Sequence, residues 1–136
     1  MQLTRGTEYA IMGLSYLAMK EGEPVLLSQI AESIGAPANY LSQVFQSLTR
    51  LGLVSSHRGA KRGYTLARPP AEINLRHIVE GIEGPVTLTS NGTDRTWCGN
   101  NGGCSLYGRL DRIQSTIARE LEEANLAGLI TTCQGD

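Results

Sequence analysis

Leu27-Ser-Gln-Ile-Ala-Glu-Ser-Ile-Gly35-Ala-Pro37-Ala-Asn-Tyr-Leu-Ser-Gln-Val-Phe-Gln-Ser-Leu-Thr-Arg-Leu-Gly52 decides the fold. A short helix opens at Leu27-Ser28, keeps Ile30, Ala31 and Ile34 on one face, and closes at Gly35. Ala36-Pro37 introduces a second helix, since proline's missing N–H costs nothing near a helix start. Its apolar face is Leu41, Val44, Phe45, Leu48 and Leu51, and Gly52 ends it. A short helix, a tight turn and a longer helix make a helix-turn-helix. Two short β-type runs follow, Leu53 to Ser56 and Gly63 to Leu66, around a basic tip containing Gly59. That pattern is a wing.

Working outward, Ala10, Ile11, Leu14, Leu17 and Ala18 recur at helical spacing from Arg5 to Lys20, and Glu21-Gly-Glu-Pro24 stops that helix. Asn74 can cap a further helix carrying Leu75, Ile78, Val79 and Ile82, ended by Gly84-Pro85. Residues 86–103 are polar and rich in Gly, Thr and Asn, and read as a loop. A final long helix carries Leu106, Leu110, Ile113, Ile117, Leu121 and Ala124 in steps of three or four. Such a stripe outside a compact module needs another surface to cover it, and dimerisation is the simplest answer. The expected architecture is therefore mostly α, a winged helix-turn-helix with a long C-terminal dimerisation helix. Its divisions are a DNA-binding domain over 1–85, a cysteine-containing sensor loop over 86–104, and a dimerisation helix and C-terminal tail over 105–136.

Of the 136 residues, 40% are hydrophobic and 18% charged, which predicts a packed core rather than disorder. No run of about 18 apolar residues is present, so no membrane segment is expected and a cytoplasmic location is. The net charge of −1 hides an asymmetry. Residues 1–70 hold seven Lys/Arg against four acids, and residues 71–136 hold five against nine. DNA responds to the local field rather than the total, so the basic half keeps nucleic acid in play as a partner.

Off the apolar face of the second helix-turn-helix element lie Asn39, Tyr40, Ser42, Gln43, Gln46 and Arg50. Short amides and hydroxyls near a helix N-terminus can reach base edges in a major groove, while Arg50 suits a phosphate. Arg58, Lys61 and Arg62 at the wing tip can touch backbone or enter the minor groove. A polar stripe alone would be no more than a solvated face; its setting between a helix-turn and a basic wing favours DNA. His57 reads as a passive loop residue.

The remaining chemistry is Trp97-Cys98-Gly-Asn-Asn-Gly-Gly-Cys104, two thiols five residues apart among glycines. Three cysteines are too few for a secreted disulfide scaffold, and a close pair in a reducing compartment suits metal binding or redox sensing. The gap and its glycines also permit a disulfide switch with no metal. Trp97 would shield the loop. Cys133 lies three residues from the end and reads as an inert thiol.

Taken together, the chain resembles the bacterial IscR/NsrR-type regulators. The residues that carry the likeness are Leu3-Thr-Arg-Gly-Thr-Glu-Tyr9-Ala10, Tyr40-Leu-Ser-Gln-Val-Phe-Gln-Ser-Leu48, the wing from Gly52 to Gly59 and Gly63 to Pro70, and the Gly-Gly-Cys104 loop. The resemblance implies a homodimeric winged-helix transcription factor that binds a palindromic operator in double-stranded DNA. In many such proteins three loop cysteines hold an iron–sulfur cluster. The fourth ligand is a carboxylate from the partner's first helix in nitric-oxide sensors, and a histidine just after the third cysteine in the cluster-biogenesis regulator. Carried onto this chain, Cys98 and Cys104 become ligands and Glu8 the partner's carboxylate.

Here the chain departs from the pattern. The place of the first cysteine falls near Gly92, and Tyr107 stands where the histidine would be. Four protein ligands are usual for such clusters. Cys133, Tyr107 and His77 are weaker candidates for the fourth, and a 2Fe–2S cluster is expected over 4Fe–4S. Two alternatives stand beside this reading: a cluster-free regulator sensing through thiols or a partner protein, and an iron–sulfur carrier or scaffold. Nothing assembles a catalytic site, because the two histidines are separated and no Ser/His/Asp or paired-carboxylate arrangement exists, so no enzyme is expected.

Overall fold

The computed structural model describes residues 3–20, 22–88 and 105–134, without the side chains of 105, 107 and 132–134. Helix α1 spans Arg5–Met19 and buries Ala10, Gly13, Leu14 and Leu17, a stripe at helical spacing. Helices α2 (Leu27–Ile34) and α3 (Ala38–Arg50) form the helix-turn-helix. The turn between them depends on Gly35, whose φ of 71° is the left-handed conformation that glycine adopts without a steric cost. Pro37 then stands at the N-cap of α3. Leu41, Phe45 and Leu48 from α3, Leu14 from α1 and Ile30 from α2 are fully buried together as the core.

Strands β1 (Val54–His57) and β2 (Gly63–Leu66) pair antiparallel, with Val54 opposite Leu66 and His57 opposite Gly63. The first strand begins one residue later than the apolar run suggests. Leu53 serves both elements: its N–H donates to the Leu48 carbonyl at 3.0 Å at the end of α3, and its carbonyl accepts the Ala67 N–H at 3.0 Å just outside the ladder. Val25 adds a separate one-residue bridge to β2: its N–H and C=O exchange bonds of 3.0 and 2.8 Å with Tyr64. The backbones approach so closely that only glycine fits at position 63, where φ is +138°.

Helix α4 (Leu75–Glu83) is capped by Asn74, whose carboxamide accepts the His77 N–H at 2.9 Å. Helix α5 (Ser105–Glu123) follows, then α6 (Leu126–Gln134). The sequence reading leaves residues after 124 as a tail; they form a helix because the chain is caught at its turn. Leu75 N–H donates to Ala124 and Leu126 N–H to Ile73, closing a bridge between Asn74 and Asn125. The Asn125 carboxamide then accepts the Gly128 N–H at 2.8 Å as a cap for α6, and Leu126 is fully buried in the core. No side chain of α5 is buried among the described residues, and Leu106 and Ile113 stand exposed. Among the described residues, no helix is long and apolar enough to cross a membrane.

Candidate nucleic-acid interface and sensor segment

Helix α3 turns Asn39, Tyr40, Gln43, Gln46 and Arg50 to solvent, with Ser42 half-buried beside them. Arg58, Lys61 and Arg62 are exposed at the wing tip, and none forms an ion pair among the described residues. The protein thus exposes a hydrogen-bonding helix face carrying Arg50, and a cationic wing tip, the groups that suit base edges and phosphates.

Two of these residues, and the neighbouring His57, have structural partners as well. Arg50 donates to the Ser47 hydroxyl at 3.0 Å, one turn back along α3. Tyr40 meets Tyr9 of α1 edge-on, with ring centroids 5.8 Å apart, and its hydroxyl lies over Gly6, where a Cβ would stand 2.9 Å from it. Tyr40 therefore ties α3 to α1. His57 is not in the loop, contrary to the sequence reading: it ends β1 and its Nε2 lies 2.8 Å from the Thr65 hydroxyl. The isolated imidazole has a strand neighbour that no short-range pattern reveals.

The candidate metal ligands are distributed unevenly. Glu8 is exposed in the first turn of α1, its backbone N–H bonded to the Thr4 carbonyl at 3.0 Å. His77 is exposed on α4 and lines a hollow of about 150 Å³ with Leu51, Leu53 and Arg68. Cys98, Cys104 and Trp97 lie outside the described residues. Cys133 is in α6 and Tyr107 in α5, but their side chains are not described. Among the described residues no three His, Cys, Asp or Glu come together as a metal site. Glu8 and His77 do not make a centre without the cysteines. As a donor set, two thiolates and an exposed carboxylate match the soft and hard ligands that iron accepts, one short of the usual four.

The described residues on either side of the cysteine-bearing stretch both relate to α5. Before it, Leu88 N–H donates to the Gln114 side chain at 3.0 Å; after it, Ser105 begins the helix. Gln114 and Ser105 are nine residues apart along α5, roughly 13 Å. Helix α5 is also bound to α4, where Arg76 pairs with Glu80 at 3.2 Å and with Glu122 at 2.8 Å. Donating first to Glu80 and then to Glu122 raises the guanidinium pKa above its ordinary value. At the far end of α4, Glu83 accepts the Thr7 hydroxyl at 2.6 Å and the Thr4 N–H at 3.3 Å. Arg76–Glu80 is an ordinary i,i+4 pair, but Glu122 and the Glu83 partners are not visible in the sequence, since they lie 46 to 79 residues away.

The sequence profile of the Rrf2 family, described as iron-dependent transcriptional regulators, matches residues 3–132. Among solved structures, the chain is similar to CymR (YrzC), the global cysteine regulator of B. subtilis. The two are 28% identical with a TM-score of 0.81, over 97% of this chain and 98% of that one. T. potens IscR is 27% identical at a TM-score of 0.76, over 98% of this chain and 88% of its own. The oxidized form of S. aureus CymR is 27% identical at a TM-score of 0.75, over 96% of each chain.

Proposed function

This chain belongs to the Rrf2 family of transcriptional regulators, and on that footing we propose a cytoplasmic homodimer that reads a palindromic operator and senses through an iron–sulfur cluster. The operator is met by Asn39, Tyr40, Ser42, Gln43 and Gln46 at base edges, and by Arg50, Arg58, Lys61 and Arg62 at phosphates. The cluster, of 2Fe–2S type, is held by Cys98 and Cys104 of one subunit and Glu8 of the other. When bound, it supplies a centre that responds to oxidants, nitric oxide or iron supply. The observation that carries the dimer is α5, a 19-residue helix with Leu106 and Ile113 exposed and no described side chain buried. Leu88, which precedes the cysteine segment, bonds to Gln114 of that same helix, and Ser105, which follows it, begins the helix; both favour a sensor at the subunit interface. Iron and sulfide assays with the visible spectrum of protein purified without oxygen test this reading. Colour that disappears in Cys98→Ala and Cys104→Ala is the expected result, and full colour in both variants removes the ligand assignment.

A second reading has its own support. The likeness to CymR, described as a cysteine regulator and solved in an oxidized form, favours a thiol sensor without metal. Colourless, iron-free protein that still binds DNA, and whose affinity changes on Cys98–Cys104 disulfide formation, selects it. The family match favours either regulator over an iron–sulfur carrier.

A further inference from the structure

The first turn of α1 is held from two sides. On one side the Tyr40 hydroxyl covers Gly6. On the other stands Glu83, the last residue of α4, one of whose carboxylate oxygens accepts the Thr7 hydroxyl at 2.6 Å and the Thr4 N–H at 3.3 Å. Thr7 is fully buried and is the buried polar side chain of the described core. Its hydroxyl therefore needs a partner, and a charged acceptor is the strongest available. The carboxylate also sits at the positive end of the α1 dipole, where negative charge is favoured. Glu8 follows Thr7 directly, is exposed, and has no side-chain partner among the described residues. One carboxylate in this turn is thus committed to holding the helix start, while its neighbour is left available.

We propose that Glu83 is the positioning residue for Glu8: it fixes the first turn of α1 and so the direction in which Glu8 leaves the subunit. The proposal rests on the reading of Glu8 as a ligand across the dimer. It also makes α4 the connection between the two halves of the sensor. The helix whose exit leads to the cysteine segment ends on the turn that presents Glu8 to the other subunit.

The experiment compares wild type with Glu83→Ala, Glu83→Gln, Thr7→Val and Glu8→Ala, in two states. In cluster-free protein, amide exchange is read at Glu8, whose N–H is protected by its 3.0 Å bond to the Thr4 carbonyl. Glu83→Ala and Thr7→Val should speed that exchange on the order of tenfold, the loss expected for a buried hydrogen bond to a charged group. Glu83→Gln keeps an oxygen acceptor for Thr7 and should restore most of the protection. In protein purified without oxygen, Glu83→Ala should reproduce the altered visible spectrum and faster bleaching of Glu8→Ala, with Glu83→Gln close to wild type. Unchanged exchange in Glu83→Ala and Thr7→Val overturns the proposal. So does a wild-type spectrum and bleaching rate in Glu83→Ala while Glu8→Ala alters both. A spectrum that Glu8→Ala leaves untouched, or a colourless wild type, instead removes the ligand reading itself and reduces Glu83 to a support of the fold. Should Glu83→Ala fail to fold, Thr7→Val alone decides.

Discussion

Phe45 lies so close to Gly13 that a Cβ built on the glycine would stand 2.8 Å from Cε1 and 3.0 Å from Cζ of its ring. The ring is fully buried and is met edge-on by Tyr64 at 5.0 Å, so it has no route of retreat. In an open helix, Gly→Ala gains about 1 kcal/mol. Against a packed ring, the added methyl costs about 1–3 kcal/mol. The second effect wins here: Gly13→Ala should lower stability, and urea unfolding at fixed protein concentration reads the sign.

At Gly63 backbone geometry and space agree. The φ of +138° is one that L side chains rarely adopt, and a Cβ would stand 2.6 Å from the Val25 carbonyl oxygen. Val25 cannot withdraw without breaking both bonds to Tyr64. Gly63→Ala should cost roughly 2–3 kcal/mol. It should also weaken operator binding through the displaced wing, measured as DNA affinity at a temperature where the variant remains folded.

Arg58 tests the electrostatic half of the interface. Replacing it with Ala should weaken binding to all DNA sequences alike and reduce the slope of log affinity against log salt by about one. A titration of operator and unrelated duplex over several salt concentrations measures both. An unaltered slope would mean that the wing tip does not reach a phosphate.

Ile113 tests the stripe on α5. A charge there, as in Ile113→Asp, should convert the proposed dimer to a species whose mass falls on dilution, seen by sedimentation. Thermal stability should then become lower and more dependent on concentration, because association contributes to the stability of the fold. A dimer unaffected by the change would place the interface elsewhere.

Tyr16 gives a pH-dependent signature at the α1–α2 contact. The Ser33 hydroxyl chiefly, and the nearby Lys20 ammonium 5.1 Å from the ring centroid, hold the phenol pKa below its ordinary value, against a smaller opposing effect of burial. Since the folded chain favours the phenolate, the stabilisation is present above the ordinary tyrosine range near pH 10. It is lost as pH falls through the lowered value. Ultraviolet titration should show an early phenol that is absent from Tyr16→Phe and moved back upward in Ser33→Ala.

The helix-turn-helix was legible because its punctuation is local. Gly35, Pro37 and Gly52 mark its ends, and the observed helices Leu27–Ile34 and Ala38–Arg50 stop where those residues require. Asn74 likewise announced α4. The polar face of α3 and the exposed wing tip followed from which positions the apolar spacing left over. What was not legible depends on partners distant in the chain. Helix α6 exists because Leu126 and Asn125 meet the segment at 73–75. Glu83 finds Thr7 across 76 residues, and Tyr40 has a second attachment to α1 that a DNA-facing assignment does not contain. Each is a tertiary contact between residues whose local patterns are unremarkable.

Helix α5 is gripped at Gln114 by Leu88, at Glu122 by Arg76, and just beyond its end by the strand-like bridge that carries Leu126 into the core. A rod fastened at several points along one side cannot swing about a hinge. It is left with torsion about its own long axis and small displacement along it, and in the proposed dimer each would act on both subunits at once. Motion at the first turns of α5 is therefore passed by these fastenings to α4 and, through Glu83, to the start of α1. On the proposed dimer and sensor, a local chemical event would become a rotation shared by two reading heads.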